Sequence, residues 1–95
     1  MPGHRELHRS DSNAAELYEL ARVLGMSIDV CQRPCDAIGG YGGLTFAVEV
    51  KSLAGKLRPR QVAFIERHRG TVYLWRTAED VMATHRVLQA KAGQR

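Results

Sequence analysis

Long apolar runs are missing from this 95-residue chain: nothing approaches the roughly 18 consecutive apolar residues of a membrane-spanning helix. The opening stretch MPGHRELHRSDSN is too polar for a secretory signal, so a cytoplasmic location is expected. Internal repeats are also missing, and the glycine-rich stretch IGGYGG has no Gly-Lys-Ser/Thr after it, which excludes a phosphate-cradling P-loop. Cysteine is scarce, at two residues, Cys31 and Cys35. Their C-x3-C spacing, with His4 and His8 as H-x3-H, raises a four-ligand zinc site. The spacing lies at the loose end of zinc patterns and the histidines sit in a polar tail. Zinc is therefore not expected, and two buried or reduced thiols are the default.

What the chain does contain is 44% apolar residues, enough for one small domain with a modest core. A net charge of +4 is unevenly spread: residues 1–50 hold 4 Lys/Arg and 7 Asp/Glu, residues 51–95 hold 10 and 3. A basic half suits a phosphate-backbone partner, because neutralised phosphates release counterions. A solvated basic surface is the alternative.

The pattern predicts the order α-β-β-β-α-β-α. Residues 1–12 read as a polar arm, 13–91 as the domain and 92–95 as a tail. Asn13 is placed to cap a helix whose stripe is Leu17, Leu20, Ala21 and Leu24, ended by Gly25. Ser27 to Gln32 alternates as a strand, and 36–40 and 44–51 read as a hairpin across Tyr41-Gly42-Gly43. Pro59 opens a second helix carrying Val62, Phe64 and Ile65. Thr71 to Arg76 reads as a fourth strand. Thr77 and Asp80 form a capping box for a last helix with Ala78, Val81, Met82, His85 and Leu88 on one face. A helix between the third and fourth strands makes those two parallel, so the sheet is mixed and flanked by helices.

In the strand Thr45 to Lys51, alternation puts Phe46, Val48 and Val50 on one face and Thr45, Ala47, Glu49 and Lys51 on the other. Glu49 and Lys51 thus project together, outside the core, beside the small Ala47. If the hairpin pairs, Asp36 falls roughly opposite Glu49. Converging carboxylates repel unless a cation lies between them, and a hard divalent ion takes oxygen ligands. A lysine alongside can orient an attacking water or stabilise charge on phosphoryl oxygens. Metal-assisted phosphodiester hydrolysis suits these residue types, and an ordinary surface ion pair is the alternative.

Asp36, then Glu49-Val50-Lys51 on a strand with Gly40-Tyr41 in the turn, resembles the core of the PD-(D/E)xK nuclease superfamily. The resemblance is closest to small VRR-NUC domains, stand-alone versions of which occur in phages and bacteria. Asp11-x-Asn13-x-x-Glu16 resembles that family's opening motif, Leu57-Arg-Pro-Arg-Gln61 its LTPxQ segment, and Gly70 to Thr77 its last strand. The likeness spans roughly residues 11–85. Cys35 replaces the usual Pro before the Asp, and Arg58 the usual Thr.

The resemblance implies a restriction-endonuclease-like core and a Mg²⁺- or Mn²⁺-dependent DNA endonuclease. Asp36, Glu49 and the Val50 carbonyl would ligate the metal. Lys51 would position the water and stabilise the transition state, Glu16 would reach the metal site from the first helix to support a second metal or its water shell, and Gln61 would hold the site network or a phosphate. Glu16 fits a capping box equally well, and Gln61 an exposed first-turn residue. Lys56, Arg58, Arg60, Arg67 and Arg69 are the candidate DNA phosphate contacts, with solvated surface as the alternative. Minimal members of the family are expected to act as homodimers on branched DNA such as Holliday junctions, with Tyr73, Trp75 or Met82 as candidate dimer contacts and a core position as the alternative for all three. The other readings are a catalytically inactive nuclease-fold DNA-binding or assembly module, against which the intact Asp36, Glu49 and Lys51 set speaks, and a zinc-stabilised interaction domain that chelators would unfold.

Overall fold

The computed structural model describes residues 13–94. They form α1 (Ala14–Val23), β1 (Ser27–Val30), β2 (Ala37–Tyr41), β3 (Leu44–Val50), α2 (Pro59–Arg67), β4 (Val72–Trp75) and α3 (Ala78–Gly93). The four strands make one sheet in the order β1-β2-β3-β4. The first three are antiparallel to their neighbours, while β3 and β4 are parallel across the α2 crossover. This is the expected α/β order with a mixed sheet flanked by helices. The expected arm and Asp11 lie outside the described residues, and α3 runs past the domain boundary expected at residue 91.

Gly42 and Gly43 make the β2–β3 turn with φ of +54° and +85°, the left-handed pair that a two-residue turn needs to match strand twist. Tyr41 is not in that turn; it is the last residue of β2, paired with Leu44. Gly39 serves a different purpose. A Cβ there would sit 2.3 Å from Phe46 Cε1, so the bare backbone lets the Phe46 ring lie across its register partner.

Both faces of the sheet are covered. Leu17, Tyr18 and Ala21 of α1 and Val81 and Leu88 of α3 pack with Ile28, Ala37, Phe46, Val48, Val50 and Trp75. On the opposite face, Phe64 of α2 packs with Ala47 and Cys35, flanked by Ile38, Ile65 and Val72. The alternation expected along β3 therefore holds, with each set of side chains meeting its own helix layer.

Several expectations are corrected. The first strand stops at Val30, which is 62% exposed on the sheet edge; with only β2 beside it, this face of the strand end has nothing to pack on. In α3 the apolar Met82 is exposed and the polar Thr84 is buried. Thr84 is inside because its Oγ1 accepts a 2.9 Å hydrogen bond from the Trp75 indole N–H. Trp75 is wholly buried, so it is a core residue rather than a dimer contact. Val62 faces solvent, whereas Gln61 takes its place on the covered face of α2.

The Thr84–Trp75 bond gives a stability prediction. Thr84→Val keeps the side-chain shape but strands a buried indole N–H, and should lower unfolding stability by about 1–2 kcal/mol in urea melts. An unchanged midpoint would mean that the bond contributes nothing net.

Candidate functional site

Hairpin register builds the site. Ala37 pairs with Val48, so Asp36, one residue before β2, stands across from Glu49. There the Val50 N–H donates to Asp36 Oδ2 at 2.8 Å, which fixes the carboxylate at the open end of the β2–β3 ladder. The N–H and C=O of one strand residue point to the same side, so the Val50 carbonyl also faces this end of β2.

Glu49 and Lys51 project to the α2 face as expected, but they are not on the surface: Glu49 is 1% and Lys51 5% exposed. The reason is that α2 and the turn after β3 cover this face. On its other flank Glu49 pairs in register with Leu74, which adds an apolar wall. Asp36 is half-buried and opens onto a cleft of about 160 Å³ lined also by Ala14, Tyr18, Val30, Cys31 and Val50.

Gln61, 2% exposed, joins the two carboxylates. Its Nε2 lies 3.5 Å from Asp36 Oδ2 and 3.5 Å from Glu49 Oε1. Its Oε1 accepts the Arg58 N–H at 2.8 Å, one half of a capping box. Arginine has no acceptor to return the other half, so Gln61 alone closes the helix start, and this orients its NH₂ toward the acids. The two alternatives for Gln61 thus merge: it caps α2 and holds the site.

The electrostatics follow from this packing. Burial first, and then the neighbouring Asp36, push the Glu49 carboxyl from 4.5 up to about 7, with donation from Gln61 opposing the rise. Among the described residues Lys51 makes no ion pair and no side-chain hydrogen bond. A buried Glu49 and a half-buried Asp36 are therefore joined through the Gln61 amide, on the strand that also buries Lys51, with little solvent to screen Glu49.

Glu16 is not gathered into this group. It is exposed, and it forms no hydrogen bond or ion pair with Asp36, Glu49 or Lys51 among the described residues. Nor does Asn13 cap α1 with its side chain. Its Nδ2 donates instead to the carbonyls of Lys51 and Arg76, each at 3.3 Å, so the apparent capping box is absent. Lys56, Arg58, Arg60, Arg67 and Arg69 are all exposed. Arg67 lies over the Phe64 ring at 5.4 Å, and His68 stacks on the same ring. His85 packs edge-on against Tyr41 with ring centres 5.5 Å apart, which fits a packing role for that histidine.

An all-oxygen set of Asp36, Glu49 and the Val50 carbonyl suits a hard cation, since Mg²⁺ typically takes one or two protein carboxylates with waters and substrate phosphates. Burial, and then Asp36, raises the Glu49 pKa, and a cation at the pair would oppose both effects. The thiols fit a metal less well. Cys31 Sγ points at the Asp29 carbonyl and Cys35 Sγ at that of Ala37. Burial, with Cys31 and Glu49 close by, pushes Cys35 up to about 11, far from the thiolate that zinc takes. His4 and His8 lie outside the described residues.

Arg76 is the site-neighbouring residue that sequence reasoning missed. It spans from the end of β4 to the turn after β3, a contact between distant segments that no local pattern signals. Comparison of the chain with protein families, with characterised proteins and with solved structures gives no match. Among the described residues no helix is long and apolar enough to cross a membrane.

Proposed function

We propose that the protein is a Mg²⁺- or Mn²⁺-dependent DNA endonuclease of the PD-(D/E)xK kind, built on a restriction-endonuclease-like core. One observation carries this reading: Asp36 and Glu49 share the Gln61 amide beside the buried Lys51. Burying Glu49 and Lys51 next to a half-buried Asp36 costs stability, and such costs cluster at functional sites.

Asp36, Glu49 and the Val50 carbonyl would hold the cation, which when bound neutralises the phosphate and lowers the pKa of an attacking water. Gln61 keeps the carboxylates apart and oriented, and its own orientation is set by the Arg58 N–H. Lys51 donates to the attacking water and to the phosphoryl oxygen that gains charge in the transition state. Water exclusion by α2 and the turn after β3 strengthens both interactions.

The exposed Lys56, Arg58, Arg60, Arg67 and Arg69 contact backbone phosphates, which gives binding that falls steeply with salt. Branched DNA cut by a homodimer fits a site this small, because two copies on a two-fold axis supply paired cuts.

The test incubates purified protein with supercoiled plasmid and with a synthetic four-way junction, in Mg²⁺, in Mn²⁺ and in EDTA. Cutting that depends on the cation is expected. Junction binding without cutting in either metal would overturn the catalytic reading.

A further inference from the structure

Lys51 is buried, yet β3 ends at Val50 and the backbone after it turns away. What covers the lysine is the turn Ser52 to Gly55, closed by the Gly55 N–H donating to the Ser52 carbonyl. A Cβ on Gly55 would lie 3.3 Å from both Cγ and Cε of Lys51, so the turn backbone runs directly over the lysine stem. That turn is short and contributes no side chain to either core cluster. Something else must hold it down.

Arg76 supplies the hold. Its Nη1 donates to the carbonyls of Ser52 at 2.7 Å and Gly55 at 2.6 Å, with Leu53 at 3.4 Å. Arg76 is itself anchored, because its N–H donates to Asp80 Oδ2 at 2.8 Å in the capping box of α3. Its carbonyl accepts from Asn13 Nδ2, and the same amide group donates to the Lys51 carbonyl. The Lys51 N–H donates to the Trp75 carbonyl. The main chain of Lys51 is thus fixed at both ends, and its side chain is roofed by a turn pinned through one guanidinium.

We propose that Arg76 is a positioning residue for Lys51, acting through the Ser52–Gly55 turn, with Asn13 as a brace between the two. Its consequence for cutting rests on the nuclease reading; its control of Lys51 burial does not. A guanidinium suits the task because it is always charged, and the two hydrogens on its Nη1 meet the Ser52 and Gly55 carbonyls in charge-assisted bonds. Its Nη1 hydrogens are taken up by these carbonyls, so Arg76 is assigned to the turn rather than to DNA phosphate.

The experiment measures amine acetylation by an N-hydroxysuccinimide ester, site by site by mass spectrometry, in the full chain. Lys51, Lys56 and Lys91 are its three lysines. In the wild type Lys51 is expected to react slowest. Arg76→Ala should raise the Lys51 rate about tenfold by local opening of the turn, with Arg76→Lys in between. Lys56 and Lys91 rates and the reactivity of the buried Cys35 thiol should stay unchanged. The same variants should lower kcat for junction cutting by about ten- to a hundredfold with KM nearly constant, as misplacement of a reacting group does.

A Lys51 rate unchanged in both variants overturns the proposal, as does a rise matched by Cys35, which would mean general loosening. A change in KM alone overturns it too, by making Arg76 a DNA contact. If Arg76→Ala does not fold, Arg76→Lys decides, since it keeps the charge and the stem. If the wild type never cuts, the nuclease reading falls while the acetylation result still decides the role of Arg76.

Discussion

Glu49→Gln is expected to reduce metal-dependent junction cutting by about a thousandfold, a loss of roughly 4 kcal/mol of transition-state stabilisation. Lys51→Ala should lose a comparable amount. The glutamine keeps the shape of Glu49 and can still hold Gln61, so the loss would report the missing carboxylate charge rather than a collapsed site. Binding should survive, because the side chains proposed to meet phosphate, in and around α2, are exposed whereas Glu49 is buried. The measurement is single-turnover cutting of a labelled four-way junction beside a gel-shift titration on the same preparations. If both variants cut as well as the wild type, the activity belongs to a contaminant. If Glu49→Gln loses binding and cutting in equal proportion, Glu49 organises the surface instead of the chemistry.

The residues behind that prediction differ in how far the sequence revealed them. Facing of Glu49 and Lys51 followed from a two-residue period that no tertiary contact can alter without breaking the strand. The approach of Asp36 followed from pairing 36–40 with 44–51 as a hairpin across the glycines, although the expected turn Tyr41-Gly42-Gly43 is in fact the Gly42-Gly43 pair alone. Burial of the same charges did not follow, since it depends on α2 folding back over the sheet and on the turn after β3. A strand pattern says which side a residue faces, never what will cover that side.

Polar patterning misled where side chains reach across the molecule. Asn13 and Glu16 have the spacing of a capping box, but Asn13 spends its amide hydrogens on the ends of β3 and β4. Its own Oδ1 is buried without a partner among the described residues, a cost accepted for the brace. Thr84 and Met82 show the same limit in α3: an apolar stripe was expected through Met82, and the indole of Trp75 drew the threonine inward instead. Gln61 could be singled out only by its position in a family-like segment. The hydrogen bonds that make it a shared donor arise from where Pro59 starts α2.

In a chelating buffer the wild type is expected to lose stability as pH rises from about 4.5 to about 7, and Glu49→Gln is not. The sign follows from linkage. Glu49 titrates near 7 in the folded protein against 4.5 ordinarily, so over that window the folded state binds more protons than the unfolded state. Stability then falls with rising pH. Glu49 adds its full share below about 4.5, and that share is gone above about 7. The shift corresponds to about 3 kcal/mol, so Glu49→Gln should exceed the wild type by about 2–3 kcal/mol at pH 8 and match it near pH 4.5. Urea melts of both proteins across the window, taken as a difference, cancel every group except Glu49 and those it touches. Equal slopes would mean that solvent reaches Glu49 and that its carboxylate is not held at a cost. Mg²⁺ added at pH 8 should narrow the gap by stabilising the wild type alone, because a ligand of the folded state adds stability only where its site is intact.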